Sequence, residues 1–293
     1  MKFIYSPLYE VDLGPHPFKN EKYRLIKEQL EKSDIINKNN LIVSNEPIDW
    51  ETLKTVHTEA YIEDLRLLRK SQAVLRSEMP FNKEIVNVSR IMAANSIKAS
   101  ELALDNNCSY HIGGGFHHAF PSHAEGFCYL NDVALAAYHI NKQKGMKVAI
   151  IDCDLHQGNG TAFIFKNNDN VFTFSIHEED IYPVKEKSSL DIGLNPFTDD
   201  NEYLEQLFSG LGKVKSFSPD FIVYVAGADP YIYDTLGYLN ISMEGLKKRD
   251  EMIFETFKNI PTLILLAGGY AKNFQDTVRI HVNTAEKARN LCQ

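Results

Sequence analysis

The chain has 293 residues, of which 44% are hydrophobic, 24% are charged and four are cysteines, and its formal net charge is −8. This composition is typical of a globular protein, and an acidic chain without a long block of lysine and arginine disfavours direct nucleic-acid binding. No apolar run is long enough to span a membrane, and no two cysteines have the C-x-x-C spacing. We therefore expect one domain over residues 1–293 in a reducing, cytoplasmic environment.

Short apolar runs alternate with helical patterns along the chain. This alternation predicts an α/β fold in which a mainly parallel sheet has helices on both faces. The predicted strands span residues 2–5, 41–43, 109–112, 148–152, 171–175, 221–225 and 262–267. The predicted helices span residues 19–32, 49–70, 82–105, 131–142, 200–217, 242–259 and 272–289.

Polar, glycine-containing turns follow four of the predicted strands, and they begin at His111, Asp152, Ala226 and Ala267. The carboxyl ends of parallel strands share one edge of the sheet, where open α/β proteins place their sites. One such turn alone could be a tight connection, but four together predict a functional site at this edge.

The strand over residues 148–152 ends in a cluster formed by Asp152, Asp154 and His156. A single aspartate after a strand is often a helix N-cap, and a single histidine is often a core residue. Two carboxylates at an apolar strand end repel each other unless a cation or a proton lies between them. The cluster therefore predicts a metal site or a catalytic site.

Asp154, His156 and Asp229 supply the three protein ligands that a hydrolytic metal site needs, with a position left for water. Two carboxylates and one imidazole suit Zn²⁺, Fe²⁺ or Mn²⁺. His117 and His118 offer a base for that water and a proton donor for a leaving amine, although they could also be ligands or packed residues.

Five motifs at these turns resemble the zinc-dependent histone deacetylase family: GGGFHHA at 113–119, EGFCYLND at 125–132, IDCDLHQGNG at 151–160, AGADP at 226–230 and AGGY at 267–270. Further similar segments are HPF at 16–18, VHTEAYI at 56–62, SEMPFN at 77–82, IYP at 181–183 and LGYLNISMEGLKKRD at 236–250. The resemblance thus covers nearly the whole chain.

The resemblance implies an arginase/deacetylase fold, which is a single three-layer domain around an eight-stranded, mainly parallel sheet. It implies zinc ligands at Asp154, His156 and Asp229. The implied catalytic residues are His117, His118, Asp152, which orients His117, and Tyr270, which polarises the scissile carbonyl.

The resemblance also implies residues that bind the substrate and structural potassium. An acyl-lysine tunnel would be lined by Gly126, Phe127, Tyr182 and Leu236. An inner K⁺ site would involve Asp152, Asp154, His156, Ser175 and Ile176, mostly through backbone oxygens. A second K⁺ site would involve Phe165, Asn168 and Val171.

The segment Gln157-Gly158-Asn159 departs from the His-Gly-Asp of many family members. It is similar to the class IV branch, typified by human histone deacetylase eleven and its bacterial relatives. This similarity implies that Asn159 would face His118 in place of a carboxylate, so we expect His118 to stay neutral to lower pH than in members with Asp. The resemblance to class IV also implies that acyl chains longer than acetyl are possible substrates.

The expected function is metal-dependent hydrolysis of acyl-lysine side chains in proteins or peptides. Deacetylation of acetylpolyamines or other small acylated amines would use the same catalytic residues. Two further classes of protein stay open, a non-hydrolytic acyl-amine binding protein and a ureohydrolase, although a ureohydrolase would need more carboxylates, for two metal ions. The oligomeric state is left open as well.

Overall fold

In the computed structural model, which describes residues 1–291, eight strands form one parallel sheet. The strands are β1 (Lys2–Tyr5), β2 (Leu41–Val43), β3 (Cys108–His111), β4 (Val148–Asp152), β5 (Val171–Glu178), β6 (Leu190–Leu194), β7 (Phe221–Val225) and β8 (Thr262–Leu265). Their order across the sheet is β2-β1-β3-β8-β7-β4-β5-β6. The predicted fold class is confirmed.

Ten α-helices surround the sheet in the described part of the chain. They are α1 (Lys22–Lys32), α2 (Trp50–Leu53), α3 (Glu59–Arg66), α4 (Gln72–Leu75), α5 (Lys83–Asn106), α6 (Asp132–Tyr138), α7 (Asn159–Phe165), α8 (Asp200–Phe217), α9 (Met243–Thr256) and α10 (Phe274–Leu291). Contacts join α1, α10, α9 and α8 into one row, and α5, α6 and α7 into another. Each row packs on strands of the sheet.

The central strands are buried along their whole length. Every residue of β4 and β7 is buried, and the two strands pair in register from Val148 opposite Phe221 to Asp152 opposite Val225. Such apolar runs are typical of strands with helices on both faces. The rigid centre of the sheet therefore fixes the positions of the turns that follow these strands.

The predicted helix over residues 49–70 is wrong, because the chain forms α2 and α3 with a break between them. Thr58 has extended backbone angles at this break and donates its backbone N–H to the carbonyl of Pro121 at 2.8 Å. Thr55, Val56 and Thr58 are β-branched and favour helix only weakly. A tertiary hydrogen bond thus replaces one that a continuous helix would make.

The seven predicted strands omitted β6, and the predicted helices omitted α4 and α7. β6 has the sequence LDIGL, in which Asp191 and Gly193 disfavour strand, and it lies at the sheet edge. The start of α7, Asn159-Gly160-Thr161, has the composition of a turn. The predicted helix over residues 131–142 ends in a π-helical segment, His139–Gln143.

No helix within residues 1–291 is both long and apolar enough to cross a membrane. Cys108, Cys128 and Cys153 are buried, and Cys292 lies outside the described residues.

Candidate active site

The four polar turns meet at the carboxyl ends of β3, β8, β7 and β4, which are consecutive neighbours in the centre of the sheet. The turn after β3 places His117 and His118, and the turn after β4 places Asp154 and His156. Asp229 follows β7, and Tyr270 follows β8. The fold therefore brings together the residues that the sequence predicts for the site.

Asp154, His156 and Asp229 form a compact, buried group of candidate ligands, and their potential ligand atoms all lie within 4.8 Å of one another. Nδ1 of His156 is 3.3 Å from Oδ1 of Asp154 and 3.6 Å from Oδ2 of Asp229. Gly268 donates its backbone N–H to the other oxygen of Asp154 at 2.9 Å. A Cβ at Gly268 would lie 2.0 Å from Oδ2 of Asp229, so glycine is required there.

The charges of this group favour a cation between the three side chains. Oδ2 of Asp229 is buried without a hydrogen-bond partner, whereas Oδ1 accepts the backbone N–H of Leu155 at 2.9 Å. Burial, and then the Asp154 carboxylate, raises the pKa of Asp229 to about 6. Burial disfavours a charged His156, but the two carboxylates outweigh it and raise its pKa to about 10. The donor set and the unpartnered oxygen fit a divalent metal ion.

Asp152 turns away from this group and contacts His117. Its Oδ2 atom lies 2.7 Å from Nδ1 of His117, and its Oδ1 atom accepts the backbone N–H of Asp154 at 3.1 Å. Burial disfavours a charged His117, but Asp152 and Asp154 outweigh it and raise the pKa of His117 to about 9. Asp152 is thus a partner of the histidine and not a member of the ligand group.

His118 has an amide partner in place of a carboxylate. Its Nδ1 atom lies 2.8 Å from Oδ1 of Asn159, and the same oxygen accepts the backbone N–H of Gly160 at 3.0 Å. Because that oxygen is an acceptor, the proton of His118 lies on Nδ1. Burial, and then the neighbouring His117 and His156, lowers the pKa of His118 well below its ordinary value. His118 is therefore neutral, with a lone pair on Nε2.

Tyr270 lies at the wall of the same cavity. Burial, and then Asp229 and Asp154, raises the pKa of Tyr270 well above its ordinary value, so its hydroxyl stays protonated. Asp234 fixes the backbone beside it by accepting the N–H of Tyr270 at 2.6 Å and that of Leu236 at 2.9 Å. The tyrosine is thus available as a hydrogen-bond donor.

A cavity of about 230 Å³ leads from the surface to the ligand group. Its lining includes all four predicted tunnel residues: Gly126, Phe127, Tyr182 and Leu236. The ring centroids of Tyr182 and His118 are 5.3 Å apart. A Cβ at Gly126 would lie 2.5 Å from the His118 ring, so this glycine allows the loop to approach the histidine closely.

The residues of the predicted K⁺ sites lie in β4 and β5 and in the segments that adjoin these strands. Asp152 is opposite Ser175 in the pairing of β4 with β5, and Ile176 follows it. In the second set, Val171 donates its N–H to the carbonyl of Asn168 at 3.0 Å, and Asn168 donates to that of Phe165 at 2.9 Å. These contacts form a turn between α7 and β5, and K⁺ binding at either place stays a prediction.

Sequence reasoning missed the residues that hold the backbone of the histidine turn, the turn after β3 that carries His117 and His118. The Asn131 side chain donates to the carbonyls of His117 and Ala119 at 3.1 and 3.0 Å, and it caps α6. Asp132 accepts the backbone N–H groups of Gly115 and Phe116 at 3.1 and 2.7 Å. Their motif, EGFCYLND, was visible in the sequence, but its polar residues gave no indication of which backbone groups they bind.

Lys22 was also missed, because a lysine in the first turn of a predicted helix is normally exposed, and the sequence gives no sign that its ammonium is buried. Its Nζ atom donates to the carbonyl of Ala267 at 2.6 Å and lies 5.0 Å from the ring centre of Phe18. Burial lowers the pKa of Lys22 to about 8, against the opposing effect of Asp229 and Asp154. Lys22 thus anchors the turn that leads to Tyr270.

Comparison with known proteins yields matches over almost the whole chain. The histone deacetylase domain family matches residues 16–285. An uncharacterized protein from Picosynechococcus sp. is 35% identical over 298 aligned positions, which cover 98% of each chain. The acetoin utilization protein AcuC from Bacillus subtilis is 30% identical, over 82% of this chain and 69% of its own length.

A similar fold is found in the crystal structure of an HDAC homolog from Aquifex aeolicus. It matches with a TM-score of 0.83 and 26% identity, over 99% of this chain and 83% of that one.

Proposed function

Because the chain belongs to the histone deacetylase family, we propose that it is a metal-dependent amidohydrolase that removes acetyl or longer acyl groups from lysine side chains. The reaction adds water across the amide bond, releasing the acyl group as a carboxylic acid and the lysine as an amine. The observation that supports this best is one cavity lined by Asp154, His156, His117, His118 and Tyr270.

Zn²⁺ is the metal that we propose for Asp154, His156 and Asp229, with Fe²⁺ as the second choice. A divalent cation held there would act as a Lewis acid, making water a competent nucleophile near neutral pH. The two buried carboxylates would balance its charge, the neutral imidazole would complete the donor set, and Oδ2 of Asp229 would gain the partner that it lacks.

His118 is the general base of the proposed reaction. Its Nε2 lone pair takes a proton from the attacking water, and the imidazolium then returns that proton to the departing amine nitrogen. His117, paired with Asp152, contributes positive charge beside it. Tyr270 donates its hydroxyl proton in a hydrogen bond to the oxyanion that develops on the acyl carbon.

The walls of the cavity suit the aliphatic part of an acyl-lysine side chain. Phe127 and Tyr182 present rings to the cavity, while Gly126 and Leu236 complete its lining. Apolar walls exclude water and orient the chain toward the reacting centre. The contact of His118 with Asn159 supports our further proposal of a class IV-like branch, in which longer acyl groups are substrates.

A second candidate substrate is an acetylated polyamine. Glu78 lies in the lining of the cavity and is exposed, so its carboxylate could pair with a distal amine of such a substrate. This substrate would use the same catalytic residues.

The proposal is tested with protein loaded with Zn²⁺ or Fe²⁺ and a release assay. The substrates are lysine peptides with acetyl, medium-chain and long-chain acyl groups, together with acetylpolyamines. We expect metal-dependent release of the acid from at least one acyl-lysine peptide. Faster turnover of acetylpolyamines would favour the second candidate, whereas tight peptide binding without release would indicate a non-hydrolytic acyl-amine binding protein.

A further inference from the structure

The Asn159 side chain, at the start of α7, is buried between the histidine turn and the turn that runs from Glu125 to Cys128. Its Oδ1 atom accepts from His118 and from the backbone of Gly160, at 2.8 and 3.0 Å. Its Nδ2 atom donates to Oε1 of Glu125 at 2.8 Å, and the carbonyl of Val184 lies 3.4 Å from it. The amide oxygen of Asn159 thus faces hydrogen-bond donors, and its amide nitrogen faces acceptors.

Glu125 is itself fixed in place and is 8% exposed. Its backbone exchanges two hydrogen bonds with Cys128, at 3.1 and 2.8 Å. Its Oε2 atom, the one not used by Asn159, forms an ion pair with Arg76 and lies 3.5 Å from Nε2 of His123. Arg76 thus occupies one carboxylate oxygen, and the other oxygen is left to accept the hydrogen bond from Asn159.

We propose that Glu125 is a positioning residue that acts on His118 through Asn159. The Glu125 carboxylate accepts a hydrogen bond from the amide nitrogen of Asn159 and thereby keeps the amide oxygen toward His118. That oxygen in turn keeps the His118 proton on Nδ1 and leaves Nε2 as the base. The inference rests on the proposed function for its catalytic consequence, but the tautomer of His118 is a property of the protein alone.

The chemical reason is the limited choice of partners for a buried amide. Without an acceptor at residue 125, the Nδ2 donor of Asn159 would retain only the distant carbonyl of Val184. A buried donor without a good partner destabilises the conformation that contains it. Asn159 would then spend less time with its oxygen toward His118, and the Nδ1-protonated tautomer of His118 would become less populated.

A carboxylate at position 159 does not need this help, because both of its oxygens are acceptors. Beside Glu125, however, it would place two carboxylates against each other, since Nδ2 of Asn159 is only 2.8 Å from Oε1 of Glu125. The effect of Asn159→Asp should therefore depend on the residue at position 125. This dependence separates positioning from a general structural role of Glu125.

The experiment compares five variants of the Zn²⁺-loaded protein: Glu125→Met, Glu125→Gln, Asn159→Asp, the double variant Glu125→Gln/Asn159→Asp, and Glu101→Met. Glu125→Met removes the acceptor at similar size, and Glu125→Gln keeps one. The double variant exchanges the amide and the carboxylate while retaining a hydrogen bond between them. Glu101→Met makes the same chemical change at a carboxylate that contacts His139, outside the cavity lining.

Two readouts are needed, the ¹⁵N chemical shifts of the His118 ring and the kinetics with an acyl-lysine peptide. We expect Glu125→Met to reduce the Nδ1-protonated tautomer and to lower kcat about tenfold with little change in KM. Glu125→Gln should lose less than Glu125→Met, and Glu101→Met should change neither readout. Asn159→Asp alone should lower kcat, and the double variant should restore it.

Two results would overturn the inference: an unchanged tautomer in Glu125→Met, or an Asn159→Asp effect that is the same with and without the Glu125→Gln substitution. If Glu125→Met does not fold, Glu125→Ala takes its place in the same comparison. If no substrate is hydrolysed, the proposed function fails, while the ¹⁵N shifts still decide whether Glu125 sets the tautomer.

Discussion

Nε2 of His117 lies 3.1 Å from Nε2 of His118. A hydrogen bond between these two nitrogens contains one proton, so only one of them can bear it. Because His118 bears its proton on Nδ1, the proton of this contact lies on Nε2 of His117. In the proposed reaction the attacking water takes the place of His117 at the His118 lone pair. His117 also faces the Asp152 carboxylate through Nδ1, so it is protonated on both nitrogens, in agreement with its pKa of about 9. The pair therefore combines one imidazolium with one neutral base.

We expect Asp152→Asn to disturb this pair without removing a metal ligand. The asparagine oxygen can still accept the N–H of Asp154, but the amide nitrogen would then face Nδ1 of His117. His117 would lose a proton, its pKa would fall, and kcat should decrease about 10- to 100-fold. Steady-state kinetics and metal analysis check this prediction. Wild-type turnover at full metal content would contradict it.

We expect Tyr270→Phe to lower kcat by about two to three orders of magnitude, as for loss of other oxyanion donors. The reason is that the Tyr270 hydroxyl, protonated at all ordinary pH values, is the proposed donor to the oxyanion. KM should change little, because the ring that lines the cavity is retained. The measurement is a full kinetic comparison at equal metal content. Turnover equal to that of the wild type would refute the role of Tyr270.

Metal binding should stabilise the folded protein, because the ligand group is assembled only in the native state. We expect a chelator to abolish activity and to lower Tm, and added Zn²⁺ to restore both. Asp229→Asn should remove most of the metal-induced rise in Tm, because it replaces the oxygen that lacks another partner. Metal analysis and thermal unfolding with and without Zn²⁺ test this. An equal rise in Tm for the variant would show that Asp229 is not a ligand.

The position of the site could be predicted from sequence because its motifs follow strands directly. Asp154 and His156 come just after β4, and Asp229 comes just after β7, so the pairing of these two strands brings the proposed ligands together. The alternation of side chains along a strand could not show whether Asp152 points toward Asp154 and His156 or away from them, since the backbone after β4 is irregular. Its orientation toward His117 was available only from the family resemblance.

The supporting contacts could not be predicted, because they join distant segments of the chain. Glu125 and Asn159 are 34 positions apart, and the backbone of each is held by its own turn or helix. The break between α2 and α3 has the same origin, since Thr58 bonds to Pro121. Local sequence patterns contain no information about which loop reaches which partner.

The pH dependence of stability should reflect His57, which follows α2 and is buried. The backbone N–H of Asn131 donates to Nε2 of His57 at 3.1 Å, so Nδ1 has the proton and faces the carbonyl of Phe120 at 3.0 Å. These contacts need the neutral ring, and burial lowers the pKa of His57 to about 4.

An unfolded chain would take up a proton at His57 near pH 6.5, whereas the folded protein would not do so until about pH 4. Between these values the unfolded state binds more protons, so the free energy of unfolding falls as the pH is lowered, by about 3 kcal/mol from this residue. We expect His57→Gln, which does not titrate, to have a flatter stability curve from pH 7 to pH 4. Urea unfolding of chelated wild-type and variant proteins across this range measures the difference, and parallel curves would exclude His57 as a source of acid sensitivity.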